Sequence, residues 1–188
     1  VYTFNFIDRQ ILSILLEPIK QDLGLSDSAL GMLTGFAFAL FYATLGIPIA
    51  RFADRSNRRN LIAWALAIWS AMTAVSGLAQ NFWHLLLARI GVGVGEAGSN
   101  PPSHSIISDL YAPHERATAM AIFGLGVNFG IMLGYLIGGW VNEWLDWRWA
   151  LVGAGGPGLF IPGALPPTPG APPPGHPRGP SGKPPPPP

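Results

Sequence analysis

Asp8, Arg9, Arg89 and Glu96 are the residues of this sequence from which chemistry can be built. Each lies inside a long apolar run, where a charge costs ~3 kcal/mol or more on insertion scales. Each therefore needs an opposite charge, a wet cavity or a task. Arg89 and Glu96 are seven residues apart. Two helical turns set them on nearly one face, roughly 10 Å apart along the axis. That is too far for a direct pair, so each should face a group on another helix. The first apolar segment offers Asp8 and Arg9. Adjacent helical residues point about 100° apart, so these two need not share a partner. Two readings stay open. One is structural neutralisation of opposite charges between two helices. The other is a central polar cavity in which Asp8 or Glu96 changes protonation. Burial and a neighbouring arginine pull a carboxylate's proton affinity in opposite directions, which can poise it to load and release a proton.

Other chemistries lack their parts. The chain has no cysteine, so no disulfide framework, structural zinc site or thiol nucleophile arises. His84, His104 and His114 show no metal-ligand spacing, and His176 lies in the tail. Gly91, Gly93 and Gly95 run into Glu96, not into the Gly-Lys-Ser/Thr ending of a phosphate loop. Ser103, His104 and Ser105 stand without the rest of a hydrolase. No enzyme, metal or cofactor is expected, and the net charge of +1 gives no reason to expect nucleic acid.

The elements that must hold the four charges are membrane helices. Of the 188 residues 49% are hydrophobic and 11% charged, and the charges fall in short clusters between long uncharged runs. That pattern belongs to an all-α integral membrane protein in a lipid bilayer. The sequence places helices at about 1–16, 28–50, 60–79, 82–107, 117–141 and 149–165, a bundle over 1–165. Residues 17–27 read as a polar connector with Ser26 or Asp27 as N-cap. Gly31 and Gly35 form a small-xxx-small pattern that admits a close helix, and Pro101 and Pro102 should kink or loosen the fourth segment. Gly126, Gly130, Gly134 and Gly138 recur every fourth residue of the fifth, a stripe for close helix packing.

Orientation follows from Ala50 to Arg59, which holds Arg51, Arg55, Arg58 and Arg59 between two apolar runs. A short basic loop of this kind stays cytoplasmic. With Arg116 these four oppose Lys20 and Arg148 on the other side, so both termini of the six-helix bundle are cytoplasmic. Asp54 sits among the arginines, either as a solvated loop charge or as a contact to Arg116 across the cytoplasmic face. The sixth helix reads as incomplete. Beyond Gly153 the chain fills with Gly and Pro, and 166–188 is low complexity, which reads as disordered or polyproline II. A frameshifted end is the favoured account of that tail, and a natural proline-rich tail the other. The opening at Val1, inside an apolar segment, reads as a fragment start.

Ala50 to Arg59 resembles the loop motif Gly-x-Leu-Ala-Asp-Arg-x-Gly-Arg-Arg of the major facilitator superfamily, matching at Asp54, Arg55, Arg58 and Arg59, with Ala50 and Asn57 replacing the glycines. Asn5 to Gln10, Arg89 to Ala97 and Gly134 to Gly139 resemble its Spinster-like branch. The resemblance implies the N-terminal six-helix bundle of a twelve-helix transporter working by alternating access. It implies proton coupling at Asp8 with Arg89 as its charge sensor, solute contact at Arg9 and Glu96, and a cytoplasmic charge network of Asp54, Arg55, Arg58, Arg59 and Arg116. The partners implied are protons, an organic or amphipathic solute and a C-terminal six-helix half; the place implied is a cell membrane, in bacteria the inner one. Gly134-Tyr135 departs from the Gly-Pro common in drug antiporters, against a simple antiporter. The alternative is a truncated, non-transporting fragment or a six-helix scaffold that needs a partner chain.

Overall fold

The structure, a computed structural model, describes residues 2–53 and 58–164. The described residues form helices α1 (Tyr2–Leu23), α2 (Asp27–Gly31), α3 (Ala37–Ala53), α4 (Arg58–Ser76), α5 (Phe82–Ala97), α6 (Asn100–Leu110), α7 (Arg116–Trp144) and α8 (Trp147–Ala164). A π-helical turn, Met32–Phe36, joins α2 to α3. Helix α1 packs most extensively on α7, and α4 lies between α5 and α8.

Helix α1 runs beyond Leu16, through what the sequence marks as a polar connector. The physical reason is its buried stripe. Ile11, Leu12, Leu15 and Ile19 stay on one face while Glu17 and Gln21 point out, so the 3.6-residue period continues past the first charges. Gly24 then ends the helix with φ 63°, a left-handed conformation that costs glycine little. The Leu25 N–H reaches the Lys20 carbonyl at 3.0 Å, closing a Schellman cap. Ser26 caps α2, its hydroxyl accepting from the Ala29 N–H at 3.3 Å.

The segment expected at 82–107 is two helices, divided at Gly98–Ser99. Asn100, Pro101 and Pro102 open α6, where missing proline N–H groups cost little because the first turn has no intrahelical acceptor for them. The Gly- and Pro-rich stretch after Gly153 is also helical, and α8 continues to Ala164. Packing accounts for it: Gly155 and Gly158 lie so close to Ser70 and Ala74 of α4 that a Cβ would collide. The tail, 166–188, lies outside the described residues.

The glycine stripe of α7 faces α1. A Cβ at Gly130 would stand 2.5 Å from the Thr3 carbonyl, and one at Gly134 2.7 Å from Gln10 Cβ. Gly126 and Gly138 also border α1, at Thr3 and Ile11. The opposite face of α7 exposes Ile122, Leu125, Phe129, Met132, Leu136 and Trp140. Small residues inside and large apolar ones outside is the packing logic of a helix in lipid. Among the described residues, α7 alone is by itself long and apolar enough to cross a bilayer. Gly31 and Gly35, expected to admit a close helix, have no described atom within 4 Å of where a Cβ would stand.

The main core gathers around α1, with Ile11, Leu15 and Ile19 against Leu85 of α5 and Trp147 and Leu151 of α8. It fills the end of the bundle where α1 meets α2, α4 meets α5 and α7 meets α8.

Candidate functional site

The close approach of α4 and α5 builds the site from one side. Gly95 stands where a Cβ would be 2.7 Å from Trp69 Cβ, and Gly91 lies against Met72. Glycine therefore lets α4 lie almost on the backbone of α5. That proximity carries Thr73 of α4 to the same place as Arg89 of α5. The Asn81 side chain starts α5 by accepting from the His84 N–H at 2.9 Å.

Asp8 on α1 meets both. Its Oδ1 accepts from the Thr73 hydroxyl at 2.8 Å and its Oδ2 from Arg89 Nη1 at 3.1 Å. Both side chains of the ion pair are 3% exposed. One helical step on, Arg9 Nε and Nη2 donate to Glu96 Oε2 at 3.0 and 2.5 Å. Here the partners differ: the Arg9 side chain is 36% exposed, that of Glu96 fully buried. Glu96 Oε1 is buried without a hydrogen-bond partner. The structure therefore brings Arg89 and Glu96 each onto a different residue of α1, as the 100° step between Asp8 and Arg9 allows.

Arg9 also forms the wall of a cleft of about 420 Å³. Phe6 lines it from α1; Ala39, Tyr42 and Ala43 line it from α3; Asn100 lines it from α6. The guanidinium carbon lies 5.6 Å from the Phe6 ring centroid and 5.7 Å from that of Tyr42, within reach of cation–π attraction. Tyr2 borders the same cleft and stacks on Phe123 at 4.5 Å. Asn5, fully buried, donates to the Ser99 hydroxyl at 3.3 Å.

The sequence singled out the four charges but not Thr73, Tyr42 or Asn100. Thr73 had a signal: Ser70, Thr73 and Ser76 repeat every third residue of an otherwise apolar helix, and all three are buried. Asn100 follows Glu96 by four residues, but the helix breaks between them at Gly98–Ser99, so that spacing was no signal. Tyr42 had no signal in an apolar run.

The residues expected to form a cytoplasmic charge network are described only in part. Asp54 and Arg55 lie outside the described residues. Arg58 and Arg59 open α4. The Arg116 Nε donates to the Tyr111 carbonyl at 3.2 Å, closing the turn before α7. Among the described residues no cluster of His, Cys, Asp and Glu is arranged to hold a metal.

A sequence profile of the Major Facilitator Superfamily matches residues 1–187. An efflux pump of this type from Mycolicibacterium smegmatis is 40% identical over 81% of this chain and 35% of its own length. Human protein spinster homolog 1 is 34% identical over 78% of this chain and 28% of its own. The crystal structure of a bacterial homologue of the human lysosomal transporter Spinster, inward-facing and unoccupied, superposes with a TM-score of 0.78. It is 41% identical, over 87% of this chain and 40% of that one. The chain thus spans about a third of the curated relatives it matches, as an all-helical bundle like the N-terminal half of theirs. By that match and that architecture, the chain belongs to the Major Facilitator Superfamily, on its Spinster-like branch.

Proposed function

We propose that this bundle is the N-terminal half of a proton-coupled secondary transporter that moves an organic or amphipathic solute by alternating access. The observation that carries the reading is the pair of ion pairs tying α1 to α5, Asp8–Arg89 fully buried and Arg9–Glu96 opening on a cleft. Two such pairs on neighbouring residues give one helix two functions. Asp8 is the coupling carboxylate: a proton on it removes the charge that holds Arg89 and loosens α1 from α5. Arg9 and Glu96 are the solute contacts, since an anionic group entering the cleft competes with Glu96 for Arg9. Asp54, Arg55, Arg58, Arg59 and Arg116 form the cytoplasmic charge network that holds the outward-facing state. Both termini of the bundle lie on the cytoplasmic side of a cell membrane, and a second six-helix half completes the cavity.

The test is Asp8→Asn in the complete protein, reconstituted in liposomes under a pH gradient. Uptake driven by the gradient is expected to vanish while the protein still inserts and folds. Uptake with the same pH dependence as the unaltered protein would remove Asp8 as the coupling site.

A further inference from the structure

Helix α3 supplies the cleft with Ala39, Tyr42 and Ala43, and the π turn Met32–Phe36 lies directly before it. A π turn takes up one residue more than an α turn; such turns are rare and often sit at functional sites. Here the extra residue decides which face of α3 meets the cleft. Leu30, before the turn, is buried in the main core. On an uninterrupted helix the spacing from Leu30 sets Tyr42 about 120° round from it. With one residue absorbed by the turn, that angle falls to about 20°, so Leu30 and Tyr42 face the same way. Phe41 is the residue that an uninterrupted helix would bring to that angle. Two contacts hold Tyr42 in place. Its hydroxyl accepts from Asn100 Nδ2 at 3.2 Å, joining α3 to α6, and its ring centroid lies 5.7 Å from the Arg9 guanidinium carbon.

Little else pins this stretch. None of the described side chains of α3 is buried. Gly35 and Gly46 have no described atom within 4 Å of where a Cβ would stand. The Thr34 and Thr44 hydroxyls donate back to the Leu30 and Leu40 carbonyls at 3.0 and 2.7 Å, a bonding that weakens and bends helices. Further on, Pro48 lies inside the helix, where it has no N–H to give the carbonyl one turn back. The helix thus has two breaks, and a residue stored at the first has a second to move to. We infer that α3 has two registers and that the π turn stores the residue that separates them. In the register described here Tyr42 faces Arg9 and Asn100. In the other, the extra residue has passed to Pro48, and the stretch between has turned by about 100° and slid by about 1.5 Å. Phe41 then takes the place of Tyr42, and the cleft shows a plain ring where it showed a hydroxyl. Asn100 loses its partner on α3, while Leu30 keeps its place in the core. The switch belongs to α3 itself and does not depend on which solute the cleft takes.

The experiment is cysteine cross-linking of the complete protein in liposomes. This chain has no cysteine of its own, and any outside it is exchanged for serine. Phe6→Cys marks the α1 wall of the cleft and is combined with Tyr42→Cys or with Phe41→Cys. A bifunctional thiol reagent joins whichever position faces that wall. The Tyr42 pair is expected to join readily. The Phe41 pair should join about tenfold or more slowly, as a minor state of about 10% or less requires. Deleting Gly35 removes the stored residue and leaves Tyr42 at its angle on an ordinary α-helix. It should abolish joining of the Phe41 pair and leave the Tyr42 pair unchanged. Pro48→Ala removes the second break without altering the turn. It should slow the Phe41 pair as well, and it guards against a folding failure of the deletion. Three results overturn the inference: a Phe41 pair that does not join in the unaltered helix, one that joins as fast as the Tyr42 pair, or one whose rate either folded variant leaves unchanged.

Discussion

Helix α1 is tied to the bundle by charge at two places, and the two have opposite surroundings. Midway along it, Asp8 is locked to Arg89 and Thr73 with almost no exposure. At its last turn, Asp22 meets Arg148 at 2.8 Å with side chains 43% and 33% exposed. The second cluster draws in further partners. Trp147 Nε1 donates to Asp22 at 3.3 Å, and Arg148 also donates to the Ala79 carbonyl at 3.3 Å and lies 4.3 Å over the Trp147 ring. Burial, not the number of contacts, sets what each cluster costs to break. A pair taken out of water has already lost its solvation, and removing one member strands the other. A pair at the rim returns to water when broken. The buried pair is therefore suited to a two-state contact and the exposed one to a fixed seam.

Breaking the buried pair on one side should give the largest effect. Arg89→Leu leaves the Asp8 carboxylate with Thr73 alone among the partners described above, and is expected to destabilise the bundle by about 3–5 kcal/mol. Adding Asp8→Leu should recover most of that loss, because two well-packed apolar side chains of similar volume carry no stranded charge. Unfolding in mixed micelles measures both. A double variant as unstable as the single would mean that packing around Arg89, not charge, holds α1 to α5.

The next effect sharpens the comparison by moving α1 without touching its charges. Gly130→Ala puts a methyl group against the Thr3 carbonyl and Phe6 Cβ, 2.5 and 2.6 Å away. The backbone there cannot give cheaply, so a cost of about 1–3 kcal/mol is expected. Gly139→Ala on the same helix meets nothing within 4 Å, and should be neutral or gain about 0.5–1 kcal/mol from helix propensity. Equal effects at the two sites would show that the α1–α7 contact is looser than described.

Much of this was readable from the chain because charge in an apolar run is expensive and therefore informative. The seven-residue spacing of Arg89 and Glu96 already required partners on another helix, and α1 held the available ones. Spacing alone left open which took which, since that depends on how α1 is rotated about its axis; only the family resemblance set Arg89 beside Asp8. Tyr42 and Asn100 stayed hidden for a different reason. An uncharged polar residue in an apolar segment costs less than a charge and so marks itself less sharply, and the approach of α3 to α6 that joins these two is a tertiary event with no local signature. The end of α1 was obscured by Glu17, Pro18 and Lys20, which read as a connector although Ile19 continued the buried stripe.

The smallest effect tests the rim cluster, and its size decides the comparison. Asp22→Asn removes the charge facing Arg148 yet keeps an oxygen that can accept from the Trp147 indole N–H. Because both side chains of the pair reach solvent, the loss should be at most about 1 kcal/mol. It should also shrink as salt is raised, since exposed charges are screened over roughly a Debye length. The Arg89→Leu effect should barely change with salt, because its pair is shielded from ions. If Asp22→Asn costs as much as Arg89→Leu, and does so at high salt, then the last turn of α1 is as dry as its middle. Burial would no longer distinguish a contact that can switch from one that only holds.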